Sequence, residues 1–141
     1  MQKKLDVQIV TAASILGLKP TGVEKLATTL LSHGLSNALQ SSNPIIEAPT
    51  LNQLYNYARN PETAVLNDNA LRNFSCGLNA TLREISLDKK FTLVLGGDCS
   101  ILIGIMSALR SKGTYGLFFL DAHTDFYEPE KSPTGEAADM D

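Results

Sequence analysis

A chain of 141 residues with 43% hydrophobic and 19% charged side chains has the size and composition of a single globular domain and can bury a substantial core. Its formal charge of −3, pI near 5.3 and scattered lysines and arginines exclude a basic nucleic-acid-binding face, so we expect a small-molecule substrate. With no apolar stretch of about 20 residues, no apolar leader and only two cysteines, the sequence predicts a cytoplasmic protein without a membrane partner.

The first third of the chain predicts a strand followed by a crossover helix. Val7–Ala13 is typical of a buried strand, and residues 22–33 carry an apolar stripe at helical spacing that ends before Gly34. His33 at the end of this helix is predicted to be structural, since a cation there favours the helix dipole. The short run Ile45–Ile46, between prolines, predicts either an edge strand or an extended connection.

Residues 61–90 predict a long amphipathic helix that begins near Asn67 or Asp68. The evidence is a set of apolar residues at intervals of three or four, namely Leu71, Phe74, Leu78, Leu82 and Ile85. Cys76 lies within this helix and is predicted to be a packed, inert thiol.

The last third predicts a strand, a helix and a second strand. Phe91–Leu95 and Tyr115–Leu120 are apolar runs typical of buried strands, and the helix between them spans about residues 100–111. Such a unit is expected to be parallel and right-handed. Residues 126–141, rich in proline and carboxylates, are predicted to form a loop over the same edge of the sheet.

Each of these two strands runs directly into residues that can bind a metal. Cys99 follows the first strand, and Asp121, His123 and Asp125 follow the second at alternate positions, which an extended chain would direct to one side. Imidazole and carboxylate ligands suit manganese, zinc, iron or cobalt. An exposed polar turn is the alternative. Asp98 is predicted to cap the following helix by accepting its unpaired N–H groups.

The two motifs, Gly96-Gly97-Asp98-Cys99-Ser100 and Asp121-Ala122-His123-Thr124-Asp125, resemble those of the arginase family of binuclear manganese hydrolases. The resemblance implies a three-layer α/β/α sandwich with a parallel sheet, of which residues 1–141 form the N-terminal portion of a single domain. It also implies that a hydroxide bridging two metal ions attacks a guanidinium carbon. In typical two-metal sites the ions are about 3.5–4 Å apart.

The resemblance also implies a role for each motif residue. Asp121 would bridge both ions, His123 would bind one, and Asp125 would bind the other while accepting a hydrogen bond from the hydroxide, as the catalytic residue. Cys99 occupies a position where the family usually has a histidine ligand. A thiolate ligand would shift the preference from manganese toward zinc, iron or cobalt, and the alternative is a buried, non-ligating thiol.

The segment Ser132–Met140 matches the substrate-facing loop of the family. Thr134 matches a hydroxyl that helps to hold the substrate, and Glu136 is either a second substrate-binding residue, one close to a metal, or a solvated carboxylate. Tyr127 and Ala138 depart from an asparagine and a histidine of the arginase pattern, so arginine recognition and the usual proton route are not implied for this chain.

The leading hypothesis is a metal-dependent hydrolase of linear C–N bonds in a guanidino or formimino compound, in a homo-oligomer such as a trimer or hexamer. The alternatives are a catalytically silent or partner-dependent relative that acts as an assembly or small-molecule-binding module, and a structural metal site closed by four protein ligands. Two later aspartate ligands of the family are absent from these 141 residues, so we expect the natural protein to be longer.

Overall fold

The computed structural model describes residues 5–50, 54–85 and 89–140 and contains three parallel strands with helices on both sides. In chain order the elements are β1 (Val7–Ala12), α1 (Leu26–Ser32), α2 (Leu35–Ala38), β2 (Ile46–Glu47), α3 (Asp68–Glu84), β3 (Phe91–Gly96) and α4 (Ile101–Arg110). None of the described helices is both long and apolar enough to cross a bilayer.

The sheet has the order β2-β1-β3, with both pairs of strands parallel. The β1–β3 register runs from Val7 opposite Phe91 to Ala12 opposite Gly96, whereas β2 adds only two residues to the other side of β1. The predicted strands β1 and β3 are confirmed. Of the two interpretations of the Ile45–Ile46 region, the edge strand is correct, one residue further along the chain.

Alternate residues of β1 belong to two different apolar cores, so that the sheet is covered on both faces. Val7 and Ile9 pack on the side of α1 and α2, against Ala27, Leu30, Leu31 and Leu35. Val10 and Ala12 pack on the opposite side, against Phe74, Leu78 and Leu82 of α3 and Ala108 of α4. The three-layer α/β/α arrangement is therefore confirmed, with β1 buried on both faces.

Helix α3 begins at Asp68 as predicted and buries its apolar stripe, but the prediction for Cys76 is wrong. The thiol is exposed, because α3 turns Phe74, Leu78 and Leu82 toward β1 and α4 and leaves Cys76 on the outer side. Cys76 lines an open groove of about 570 Å³ between α3, α4 and the end of the chain.

The prediction of a strand at Tyr115–Leu120 is also wrong. These residues form no strand and are exposed, with Phe118 and Leu120 each 85% accessible. A strand requires a neighbour for its backbone hydrogen bonds, and the three described strands pair only with one another. The βαβ unit is therefore not completed within the described residues.

Residues 126–140 form the predicted loop, which contains two single turns of 3₁₀ helix at Pro129–Lys131 and Ala137–Asp139. Main-chain hydrogen bonds hold it to two other loops: Leu66 N–H donates to Gly135 O at 2.8 Å, and Ala138 N–H donates to Gly17 O at 3.0 Å. The Arg59 guanidinium adds a bond to Ser132 O at 2.8 Å.

Asp68→Asn is expected to cost about 0.5–1 kcal/mol of unfolding free energy at pH 7, the usual size of a helix N-terminal contribution. The Asp68 carboxylate begins α3 and accepts hydrogen bonds from Asn60 Nδ2 at 2.8 Å and Thr63 Oγ1 at 3.1 Å. The bond from Asn60, above all, lowers the pKa of Asp68. The contribution is therefore complete above the unfolded-state pKa, near 4, and is lost as pH falls through the lower folded-state value.

Urea unfolding of the wild type and the variant at a series of pH values measures this effect. The difference in unfolding free energy should close toward pH 3, whereas Glu62→Gln, at an exposed carboxylate in the preceding loop, should show no such difference. An equal loss at all pH values would mean that the charge of Asp68 is not the cause.

Candidate metal centre

The candidate metal centre lies beyond the carboxyl ends of β1 and β3. Because these strands are parallel neighbours, the loops that follow them, residues 13–19 and residues 97–100, come together at the same edge of the sheet. Gly97 has a φ of +58°, and a Cβ there would lie 2.5 Å from the carbonyl oxygen of Ser14. Only glycine fits this close approach, which brings the residues after β3 against the loop after β1.

Three of the four predicted ligands meet at this edge. The Cys99 Sγ atom and one carboxylate oxygen each of Asp121 and Asp125 all lie within 4.8 Å of one another. Cys99 Sγ is 3.8 Å from Asp121 Oδ2, within reach of a hydrogen bond to sulfur. Asp125 is 8% exposed and thus the most buried of the three, whereas Cys99 is partly exposed.

The fourth predicted ligand, His123, lies outside the cluster. Its side chain is 83% exposed, and its Nδ1 atom is 3.8 Å from Asp121 Oδ1, to which the backbone N–H of His123 donates at 3.0 Å. The predicted alternation of residues 121, 123 and 125 is wrong, because the chain bends at Ala122 and His123 and Asp125 has a left-handed φ of +49°. A turn, and not an extended strand, brings the two aspartates together.

The two aspartates have opposite pKa shifts. The backbone N–H of His123 stabilises the charged form of Asp121 and lowers its pKa. Burial raises the pKa of Asp125, and the negative charge of Asp121 raises it further. Two carboxylates and a thiol at this spacing repel one another when charged, which is the electrostatic condition that a divalent cation relieves.

The donor set fits a divalent cation. An ion with bonds of about 2.0–2.3 Å keeps its ligand atoms at most about 4.6 Å apart, close to the 4.8 Å within which these three atoms lie. One thiolate and two carboxylates suit zinc, iron, cobalt or manganese. Within the part of the chain that the structure describes, the cluster has three protein ligands, whereas four close a structural zinc site.

Asp98 does not belong to this cluster and has the structural role that the sequence predicted. Its buried carboxylate accepts a hydrogen bond from the N–H of Ser100, at the start of α4, at 3.0 Å. A second bond, from Gly17 N–H at 3.1 Å, joins β3 to the loop after β1. His33 likewise has a local partner, since its Nδ1 is 2.8 Å from Thr29 O within its own helix.

The two predicted substrate-binding residues lie in the loop of residues 132–139 and have contacts within the protein. Thr134 Oγ1 accepts the N–H of Glu136 at 3.2 Å and lies 3.3 Å from Asp139 Oδ2. Glu136 Oε1 accepts the N–H of Lys19 at 2.5 Å. Glu136 is thus engaged by the backbone of the loop after β1.

Sequence reasoning missed Tyr55 and Asn67, which hold the loop after β1, residues 13–19, through hydrogen bonds. Asn67 donates to Leu16 O at 3.1 Å and accepts from Asn56 N–H at 2.6 Å, and Tyr55 donates to Leu18 O at 2.7 Å. Their partners are backbone atoms far away in sequence, so no spacing pattern could have indicated them. Asparagine adopts a left-handed backbone conformation more readily than most residues. The φ of +54° at Asn67 is therefore the one feature that its residue type could have indicated.

Comparison with known proteins identifies the family. The model of the arginase family matches residues 39–138. This chain belongs to the arginase family. Arginase of Staphylococcus aureus strain MRSA252 is 31% identical over 147 residues, which cover 99% of this chain and 48% of that protein. Arginase of Emericella nidulans is 41% identical over 69 residues, or 45% of this chain and 21% of that protein.

Solved arginases have the same fold. Entamoeba histolytica arginase in complex with L-ornithine superposes with a TM-score of 0.79 and 24% identity, over 99% of this chain and 49% of that one. The Bacillus caldovelox arginase gives a TM-score of 0.80 and 24% identity, over 96% and 47%. The predicted N-terminal half of an arginase-like sandwich is confirmed. The chain spans about half the length of these relatives.

Proposed function

We propose that this chain supplies the metal-binding half of a hydrolase that breaks a linear C–N bond in a guanidino or formimino compound. The observation that carries the proposal is the convergence of Cys99, Asp121 and Asp125 at the carboxyl edge of a parallel sheet in a member of the arginase family. The sequence motifs alone indicated the residue types. The short distances between the side chains of these three residues support the binding of one shared cation.

Cys99, Asp121 and Asp125 would hold the cation, and rotation of the exposed His123 side chain would add an imidazole. Manganese is the metal that the family resemblance implies, and the thiolate favours zinc, iron or cobalt. When bound, a divalent cation lowers the pKa of water and stabilises negative charge that develops in the reaction. The complete centre would be binuclear, with further ligands from outside these 141 residues.

Asp125 is the proposed catalytic residue. The Asp125 side chain is buried, and its backbone has a left-handed φ. Packing and backbone conformation together therefore fix the direction of its carboxylate. A carboxylate at this position would accept a hydrogen bond from the attacking water and orient its lone pair toward the substrate carbon.

The substrate would approach across the loop of residues 132–139. A guanidinium or formimino cation would be attracted by the negative charge of Glu136, whose Oε1 atom accepts the N–H of Lys19. The Thr134 hydroxyl, at the same loop, would hold the far end of the substrate.

Turnover by the purified chain tests this proposal. We expect release of urea or the corresponding amide from at least one of arginine, agmatine, guanidinobutyrate and formiminoglutamate in the presence of Mn²⁺, Zn²⁺, Fe²⁺ or Co²⁺. The assay is repeated with the part of S. aureus arginase that lies beyond the match to this chain. Absence of turnover under both conditions, with cation binding intact, would exclude hydrolysis.

A second candidate function, assembly with a partner polypeptide, is favoured by exposed apolar surface. Helix α4 is apolar on nearly all sides, yet Ile103 on its outer side is 46% exposed. Ser107 lines both the groove beside Ile103 and a second pocket that reaches Tyr115, the first residue of the exposed segment 115–120. We propose that this surface binds the second half of an arginase-family polypeptide, because the relatives contain that additional length and β3 has no described neighbour on its outer edge.

Phe118→Asp is expected to weaken this association at least tenfold, since it places a charge at the centre of the apolar segment. The probe is the same part of S. aureus arginase, and the measurement is the molar mass of the mixture by light scattering. Leu54→Asp, at a residue that is 96% exposed in a different loop, should bind as the wild type does. If the wild type forms only homo-oligomers that Phe118→Asp dissociates, the surface binds a second copy and the proposed partner is wrong.

A further inference from the structure

We propose that Gly17 and Asp98 are positioning residues that connect the metal-binding turn at Cys99 to the loop of residues 132–139. This inference rests on the proposed metal centre, because Gly17 and Asp98 would hold the proposed ligand Cys99 in position. It concerns two residues outside the cluster, which touch one another across the carboxyl ends of β1 and β3.

The Asp98 carboxylate uses both of its oxygen atoms in the interior. Oδ2 accepts from Gly17 N–H at 3.1 Å, and Oδ1 accepts from Ser100 N–H at 3.0 Å and from the Ser100 hydroxyl. Asp98 and Ser100 are 3% and 1% exposed. Cys99 is therefore held between two buried residues whose positions fix each other.

Both backbone polar groups of Gly17 form hydrogen bonds that belong to this connection. Its N–H binds Asp98, and its carbonyl accepts the N–H of Ala138 at 3.0 Å. A Cβ at Gly17 would lie 2.6 Å from Ser100 Oγ and would also collide with Asp98 Oδ1. The absence of a side chain at residue 17 is what allows Asp98 to reach the backbone.

One continuous set of hydrogen bonds thus runs from the turn that carries Cys99 to the loop that carries the proposed substrate residues. The order is Ser100, Asp98, Gly17 and Ala138, and the bond from Lys19 N–H to Glu136 lies beside it. A displacement of Asp98 would therefore move the thiol of Cys99 and release the loop near Ala138 together. A purely local cap of α4 would affect only the helix.

Asp98→Asn tests the connection, because asparagine has one oxygen where aspartate has two. In either orientation its NH₂ group would face a backbone N–H, of Gly17 or of Ser100, so one of the two bonds is lost. We expect the affinity for Co²⁺ to fall about 10–100-fold, the usual effect of removing a residue that orients a ligand. The thiolate-to-cobalt absorption band should weaken, and amide exchange at Ala138 should become faster.

The experiment uses the whole chain with Cys76 replaced by serine, so that iodoacetamide reports on Cys99 alone. Asp6→Asn, at an exposed carboxylate before the opposite end of β1, is the control and should leave Co²⁺ binding, alkylation and exchange unchanged. Gly17→Ala should reproduce the Asp98→Asn pattern, and it decides the question if Asp98→Asn does not fold.

The outcomes separate this inference from the proposed function. If the wild type binds no Co²⁺, the metal centre is wrong, and the connection is then judged by Cys99 alkylation and Ala138 exchange, both of which Asp98→Asn should accelerate. If Asp98→Asn and Gly17→Ala fold, bind Co²⁺ as tightly as the wild type and leave exchange at Ala138 unchanged, the connection does not exist.

Discussion

Asp125→Asn is expected to reduce the affinity of the chain for Co²⁺ by a factor of at least ~100, and to abolish turnover where the wild type shows it. Asparagine retains the shape of the side chain and readily adopts the left-handed φ of +49°, so the backbone should remain in place. What is removed is the charge of the most buried carboxylate in the cluster. Isothermal titration with Co²⁺ and the cobalt absorption spectrum measure the loss.

Glu130→Gln is the matched control, because it removes an exposed carboxylate from the same region of the chain without touching the cluster. Its titration should coincide with that of the wild type. If Asp125→Asn instead binds Co²⁺ with wild-type affinity, Asp125 is not a ligand. The cluster would then reduce to Cys99 and Asp121, which is too few for an open catalytic site.

Leu78→Ala is expected to have the largest effect on stability, about 3–5 kcal/mol of unfolding free energy. Leu78 is fully buried between β1 and α4, and a Cβ on Gly104 of α4 would lie 3.1 Å from its side chain. A cavity at this close helix contact cannot collapse easily. Since single domains have a total stability of about 5–15 kcal/mol, the variant should be marginally folded.

Urea unfolding measures the effect as a shift of the midpoint by roughly 1–3 M. Leu54→Ala removes the same atoms from a residue that is 96% exposed, and its midpoint should stay within experimental error of the wild type. If Leu78→Ala lowers the unfolding free energy by less than about 1 kcal/mol, α3 and α4 do not pack as tightly as their contact indicates.

Sequence patterns predicted the elements whose apolar residues are buried within this chain. The stripe on α3 and the apolar run of β1 each pack against cores formed by described residues, so sequence pattern and structure agree. The run Tyr115–Leu120 has the same strand-like composition but no neighbour to pair with, and composition does not carry that information. Cys76 was misplaced because its neighbour Ser75, and not the thiol, faces the core.

The candidate site was predictable in its residue types and less so in its geometry. The motifs indicated Cys99, Asp121 and Asp125, which the structure brings together. The exposed position of His123 and the left-handed turn at Asp125 follow from local backbone conformation, which a spacing argument based on an extended strand could not include. The contacts of Gly17 with the Asp98 side chain and of Asn67 with the Leu16 backbone join residues that are distant in sequence.

The loop of residues 132–139 is anchored mainly through its backbone, by the bonds of Gly135 O with Leu66, Ala138 N–H with Gly17 and Asp139 O with Tyr127. These main-chain anchors do not depend on the identity of the side chains within the loop itself. Substitutions at exposed positions of this loop can therefore alter which molecule is recognised without displacing the loop itself. Under the proposed function, such a scaffold would allow substrate preference to change by single substitutions in this loop, while the proposed cation ligands Cys99, Asp121 and Asp125 stay constant.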